Sequence, residues 1–229
     1  DAYVNSGQIE VNGISDVYTG GIVSNKAYVK AANNVKSSAD ITVRGTEKLY
    51  TGGYAGIVSG SDTQLSGESY DKTITVTAAA PGEDSAVYTG GIVGYYGVNG
   101  TIANSSFHGQ LKVTGGKGAN TGGIAGYVSN GTLAGAIIGG TDTSFAKLQS
   151  DGRVGGVVGY LNGTISAPTV QFVDIQSKGV NGQAGGIAGQ AKGFITDAIV
   201  GKEDATDTKS VTINATAGNI FVGGIIGTD

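Results

Sequence analysis

The sequence predicts an all-β protein, a parallel β-solenoid of about seven coils, and three observations predict it. A Gly-Gly pair recurs seven times at nearly even spacing, an Asn-Gly turn signal follows the middle pairs, and a segment rich in β-branched residues precedes most of the others. The first glycines stand at Gly20, Gly52, Gly90, Gly122, Gly155, Gly185 and Gly223, so the units are 32, 38, 32, 33, 30 and 38 residues long. A period of this size is the signature of a stacked repeat, in which one unit alone cannot bury both faces of its strands.

Each element of the unit has its own reason. The Gly-Gly pair, as in Thr89-Gly90-Gly91-Ile92-Val93-Gly94-Tyr95 and Val154-Gly155-Gly156-Val157-Val158-Gly159-Tyr160, marks a corner. There the chain needs either a positive φ or an approach too close for a Cβ. The slot after the large aliphatic alternates between Val and Ala (Val23, Ala55, Val93, Ala125, Val158, Ala188), as a narrow interior requires. Asn99-Gly100-Thr101-Ile102, Asn130-Gly131-Thr132-Leu133, Asn162-Gly163-Thr164-Ile165 and the weaker Lys192-Gly193-Phe194-Ile195 read as positive-φ turns that start a new strand. Strands are expected at Ile41–Val43, Thr73–Val76, Gln110–Val113, Val170–Val173 and Val211–Ile213. No segment sustains a helical period, although Ala27 to Ala32 has room for a short turn of helix. The longer units place loops at Tyr70 to Gly82 and Gly201 to Gly218. Seven coils at strand spacing make a rod roughly 30 to 35 Å long. Handedness and the number of strands per coil stay open.

Composition sets the function classes. The net charge is −4, with two arginines and twelve scattered lysines, which argues against nucleic acid or an anionic membrane as partner. There is no cysteine, hence no disulfide, thiolate nucleophile or Cys-ligated metal. No apolar run reaches the ~18 to 20 residues that span a bilayer as a helix. The absence of Pro-rich or Ser-rich linkers reads as one continuous domain over residues 1–229. Without polar caps at its ends, it is expected to be part of a longer protein with flanking domains.

The combination Gly91-Ile92-Val93-Gly94-Tyr95, Asn99-Gly100-Thr101-Ile102-Ala103-Asn104 and Gly109-Gln110-Leu111-Lys112-Val113 resembles the GLUG repeat. Gly123-Ile124-Ala125-Gly126, Gly156-Val157-Val158-Gly159, Gly186-Ile187-Ala188-Gly189 and Gly224-Ile225-Ile226-Gly227 carry its Gly-Leu-any-Gly core with Ile or Val in the Leu place. The resemblance covers nearly the whole chain. It implies a large bacterial surface protein, an extracellular location and a scaffolding or adhesive role.

Residues able to carry chemistry are sparse. His108 is the single histidine, so a Ser-His-Asp triad has one possible base and no nucleophile elbow beside it. Asp174 with Asp151 and Arg153 is the one strand-associated acid set for a polysaccharide-cleaving β-helix. Asp62/Glu68/Asp71 and Glu203/Asp204/Asp207 are oxygen-rich clusters without a calcium-loop pattern, so neither metal nor cofactor is expected. Tyrosines are the most ordered feature. Tyr18, Tyr50 and Tyr88 precede Thr-Gly-Gly, while Tyr95, Tyr127 and Tyr160 follow it, so stacked coils align each triplet as a ladder. Such ladders either offer aromatic faces to a host or polysaccharide ligand or shield a corner. Rows of threonine, Thr19/Thr51/Thr89/Thr121 and Thr101/Thr132/Thr164, raise ice binding as an alternative to the stalk and the β-helix enzyme. The expectation is a non-enzymatic stalk that displays or contributes to binding.

Overall fold

The computed structural model describes residues 3–26, 31–60, 63–79, 86–116, 118–141, 144–201, 210–216 and 218–229. Among them there is no helix, and every strand-to-strand ladder is parallel, joining each unit to the next. Four stacks form. The first holds the seven strands that lead into the Gly-Gly pairs, from Val17–Gly20 to Phe221–Gly223, and the second the seven that leave them, from Val23–Lys26 to Ile226–Thr228. The third carries six short strands, Ala31–Asn33, Gln64–Ser66, Thr101–Ala103, Thr132–Ala134, Thr164–Ser166 and Phe194–Thr196. The fourth is a 12-stranded sheet. Its strand Lys36–Gly45 is continuous and pairs with both Ser69–Tyr70 and Thr73–Ala78 of the next coil, where the sequence breaks the strand at Asp71-Lys72. The parallel solenoid is thus the observed fold.

Register follows the repeat. Val23, Ala55, Val93, Ala125, Val158 and Ala188 are successive rungs of the second stack. The third stack lines up Leu65, Ile102, Leu133, Ile165 and Ile195, and the fourth Ile41, Ile74, Leu111, Leu148 and Ile175. These rows meet in one interior cluster. Burying each such side chain is worth about 1.5–3 kcal/mol, and a row of equal residues fills the interior at every level without voids.

The Gly-Gly corners need close approach and not positive φ, for none of the fourteen glycines has a left-handed φ. At Gly91 an added Cβ would overlap the Gly123 carbonyl oxygen and the Phe107 ring. The corner is tight because two consecutive amides share one carbonyl of the next coil: Ile92 N–H and Val93 N–H both donate to Ile124 O, at 3.0 and 2.9 Å. The same fork repeats at Tyr54/Ala55, Ile124/Ala125, Val157/Val158 and Ile187/Ala188.

Several local expectations are corrected. Of the three Asn-Gly turns only Gly131 has a positive φ, +86°. The left-handed corner lies at the end of the following strand instead, at Asn34, Gly67, Asn104, Gly135, Ala167 and Asp197, one per coil. Two of those six are glycines and three are Asn or Asp, the residues that enter this region at least cost, and Ala167 at φ +48° is the exception. The strand expected over Val170–Val173 is interrupted at Gln171-Phe172, where Phe172 takes φ +48°. The expected loops include strands, Thr73–Ala78 in one and Val211–Ala215 in the other, and residues 80–82 and 202–209 lie outside the described set. The helical turn falls on 27–30, also outside it, and Ala31–Asn33 is strand.

Candidate functional site: an outward tyrosine array

The two tyrosine triplets form one array. Tyr18, Tyr50 and Tyr88 are aligned rungs of the first stack, and Tyr95, Tyr127 and Tyr160 of the second. The corner brings the stacks together, so the triplets interleave. Tyr18 and Tyr50 stack at 5.1 Å with rings 2° from parallel, and Tyr127 and Tyr160 at 4.8 Å and 7°. Between these ends Tyr88 packs on Tyr95 at 5.8 Å and on Tyr127 at 5.0 Å, while Tyr50 meets Tyr88 and Tyr95 edge to face. Rung spacing of about 4.8 Å is close to the optimum for offset stacking, so identical residues at one slot stack without adjustment.

This geometry has a consequence for recognition. A ring that stacks along the rod covers its faces with its neighbours and turns its edge and hydroxyl outward. Tyr18, 39% exposed at one end, keeps more open surface than the half-buried members between. At the other end the Arg153 guanidinium lies 5.7 Å above the Tyr160 ring. Arg153 occupies the slot of Tyr18, Tyr50 and Tyr88, three residues before the second glycine of its pair, so its membership was readable from the repeat. It is held by Gln183 Oε1, which accepts from its Nε at 2.9 Å, and by Asn120 Oδ1, which accepts from Nη1 at 3.4 Å. Tyr95 donates its hydroxyl to Ser129 Oγ at 3.2 Å.

Burial raises the phenol pKa of three members of the array, Tyr50, Tyr88 and Tyr127. Tyr50 is pushed up to about 12, first by desolvation and then by Tyr88, Tyr18, Asp16 and Tyr95. Tyr88 and Tyr127 are raised for the same leading reason, with Arg153 opposing the shift at both. These hydroxyls therefore stay protonated at neutral pH and act as donors as well as acceptors.

The other candidate residues are dispersed. Asp151 Oδ2 accepts the Gly115 amide at 2.8 Å, Asp174 Oδ2 accepts Gln176 Nε2 at 2.9 Å, and Arg153 belongs to the tyrosine array. Each member of the expected acid set is committed to a different partner. His108 is exposed and its Nδ1 is bonded to the Gly139 carbonyl oxygen, a turn contact. Glu68 is buried and accepts the Ser105 hydroxyl at 3.0 Å, while Asp71 pairs with Lys72 at 3.6 Å. Asp62, Glu203, Asp204 and Asp207 lie outside the described residues, among which no group of three His, Cys, Asp or Glu is placed to hold a metal ion.

The threonine rows separate. Thr19, Thr51, Thr89 and Thr121 face the interior, at most 4% exposed, which removes them from any outward ice-binding plane. Thr101, Thr132 and Thr164 face outward in register on the third stack. Two further aromatics, Tyr70 and Tyr96, are interior: their hydroxyls donate to Ala39 O at 2.6 Å and Thr63 O at 2.9 Å. No protein-family model, curated protein or solved structure matches the chain.

Proposed function

We propose that the chain is a non-enzymatic, stiff β-solenoid segment of a bacterial surface protein, a GLUG-repeat stalk that displays flanking regions and contributes to host or polysaccharide binding. The observation that carries this reading is the continuity of the stacks. The first and second run through seven rungs each without a break in register, so bending the rod must break many parallel hydrogen bonds at once. The low charge and the absence of cysteine suit an extracellular setting. The tyrosine array is the segment's candidate contact surface, through its row of outward hydroxyls more than through ring faces. Asp151, Asp174 and Arg153 supply no shared point for a substrate, so the enzymatic alternative lacks a site, and the buried Thr19 row leaves the ice-binding alternative a single row three residues long.

Small-angle scattering and single-molecule pulling test the stalk. A rod that resists extension up to one cooperative rupture is expected, and gradual lengthening at low force overturns it. A glycan array comparing the parent with Tyr95→Ala/Tyr127→Ala/Tyr160→Ala tests the contact surface, with loss of binding expected and equal retention assigning the array to packing alone. Reducing-end release from a polysaccharide panel, abolished by Asp151→Asn or Asp174→Asn, would restore the enzyme.

A further inference from the structure

We infer that Asn99-Gly100 and Asn130-Gly131 are self-modification sites, at which the folded chain converts asparagine to isoaspartate without an enzyme. They follow the third and fourth of the seven Gly-Gly pairs, so neither owes its surroundings to an end of the stack.

The reaction needs only these residues, hydroxide and water. The Gly131 amide gives its proton to hydroxide, and its nitrogen attacks Asn130 Cγ. A C–N bond forms there, the bond from Cγ to Nδ2 breaks, and Nδ2 departs as ammonia. Water then opens the cyclic imide at its backbone carbonyl, which leaves a free carboxylate and carries the main chain through Cβ and Cγ, one carbon longer. Glycine is the follower that hinders the attack least, having no Cβ.

Five Asn-Gly steps occur, at Asn12, Asn99, Asn130, Asn162 and Asn181, and sequence alone ranks them equally. Register separates them. Tyr96, Val128 and Leu161 are aligned rungs of the second stack and Thr101, Thr132 and Thr164 of the third, so the turns between them hold four, three and two residues. The first residue of each turn is pinned to the coil before. Gly97, Ser129 and Asn162 N–H donate to Val58, Tyr96 and Val128 O, at 3.0, 2.9 and 2.8 Å. In the shortest turn that pinned residue is Asn162 itself, and its Nδ2 also donates to Ser129 O at 3.2 Å. In the two longer turns the asparagine falls in the surplus. Asn99 and Asn130 are exposed, and among the described residues their N–H groups and side chains, and the Gly100 and Gly131 N–H groups, have no protein partner.

The other two sites are held. Asn181 N–H donates to Gly218 O at 3.2 Å and Gly182 N–H to Gly179 O at 3.1 Å, while Asn12 and Gly13 are rungs paired with Arg44 and Gly45. Imide closure needs rotation about the Asn Cα–C bond and a free Gly nitrogen, and these bonds oppose both.

The product fits the fold. A three-residue turn lengthened by one carbon stays within the four residues that the preceding coil already accommodates. The Gly100 and Gly131 carbonyls accept the Thr132 and Thr164 amides, both at 2.9 Å, and keep doing so. The coils therefore remain stacked, and each event adds one negative charge to the surface.

Peptide mapping by mass spectrometry tests this on the whole chain, aged in mildly alkaline buffer both folded and in denaturant. In denaturant all five sites are expected to convert at similar rates. In the fold Asn99 and Asn130 should keep that rate, Asn162 should lag, and Asn12 and Asn181 should fall behind about tenfold, the order of one or two retained hydrogen bonds. Amide exchange in the unaged protein should be fast at Gly100 and Gly131 and slow at Gly182. Deleting Ser129 moves Asn130 into the place of Asn162 and should slow it to the Asn162 rate; if that variant does not fold, the mapping and exchange of the parent decide. Folded-state conversion of Asn99 and Asn130 as slow as that of Asn181, or protected Gly100 and Gly131 amides, overturns the inference. A fall in thermal midpoint on full conversion overturns the accommodation of the product.

Discussion

The tyrosine corner and the Asn-Gly-Thr face are built by the same repeat, in the same register, a few residues apart in each unit, and they end in opposite states. At the corner, large rings at rung spacing close on one another, from Tyr18 on Tyr50 to Tyr160 under Arg153. On the third stack the outward Thr101, Thr132 and Thr164 are small, and no hydrogen bond links one hydroxyl to the next. A row of large side chains thus satisfies itself, whereas a row of small ones leaves its polar groups for something else. Periodicity alone is no sign of a binding surface; the size of the repeated side chain decides whether the row is closed.

The comparison breaks most severely at the corner itself. Gly123→Val places a side chain into the Gly156 carbonyl oxygen, and backbone cannot withdraw without parting the coils. A loss of about 4 kcal/mol or more is expected, read as a large fall in the thermal midpoint together with loss of the tyrosine near-ultraviolet circular dichroism. Gly118→Ala, where a Cβ meets nothing within 4 Å, is the matched control and should change stability by less than about 0.5 kcal/mol.

Removing one ring sharpens the comparison further. Tyr127 touches Tyr88, Tyr95 and Tyr160, so Tyr127→Ala should cost about 1–3 kcal/mol, while Thr132→Ala on the open face should cost under about 0.5 kcal/mol. Equal costs in chemical denaturation would erase the distinction between a closed row and an open one.

Alkaline titration reads the corner without mutation. Tyr50 holds its proton up to about 12 in the fold against an ordinary value of 10.0, so between those values the unfolded chain binds fewer protons than the native one. The stabilisation tied to this phenol is complete below pH 10 and is lost as pH rises through about 12. Phenolate absorbance should therefore lag that of the denatured chain over this window, and Tyr50→Phe should remove part of the lag. Coincident titration curves would contradict the burial.

The smallest effect concerns the interior threonines behind the array. Thr51 Oγ1 is buried and unbonded, whereas Thr121 Oγ1 donates to Ser150 Oγ at 3.0 Å. Thr51→Val should be neutral or stabilising by up to about 1 kcal/mol, and Thr121→Val should cost about 1 kcal/mol by removing the hydroxyl bond to Ser150 Oγ, which keeps only the Gly152 amide.

Much of this was legible in the chain. The Gly-Gly spacing predicts which residues become rungs of one stack, and the Val23/Ala55/Val93 slot alternates as its packing requires. Arg153 was legible too, since it stands in the tyrosine slot. The side of the coil each residue takes was not. Tyr95 and Tyr96 are neighbours, one outward in the array and one buried with its hydroxyl on Thr63 O. Thr19 and Tyr18 divide in the same way, and sequence offers no reason to send the threonine inward.

The sequence by itself determined the period, the parallel stacking and the register, because a one-dimensional repeat with one glycine corner per unit admits a single alignment of its coils. Only the tertiary structure decided what each row faces. Alternation fixes sides within a strand, but a corner resets it, and the forked bonds of Ile92 and Val93 to Ile124 O set that angle through contacts between coils. For the same reason the merging of two tyrosine ladders belongs to the stack and not to any one unit.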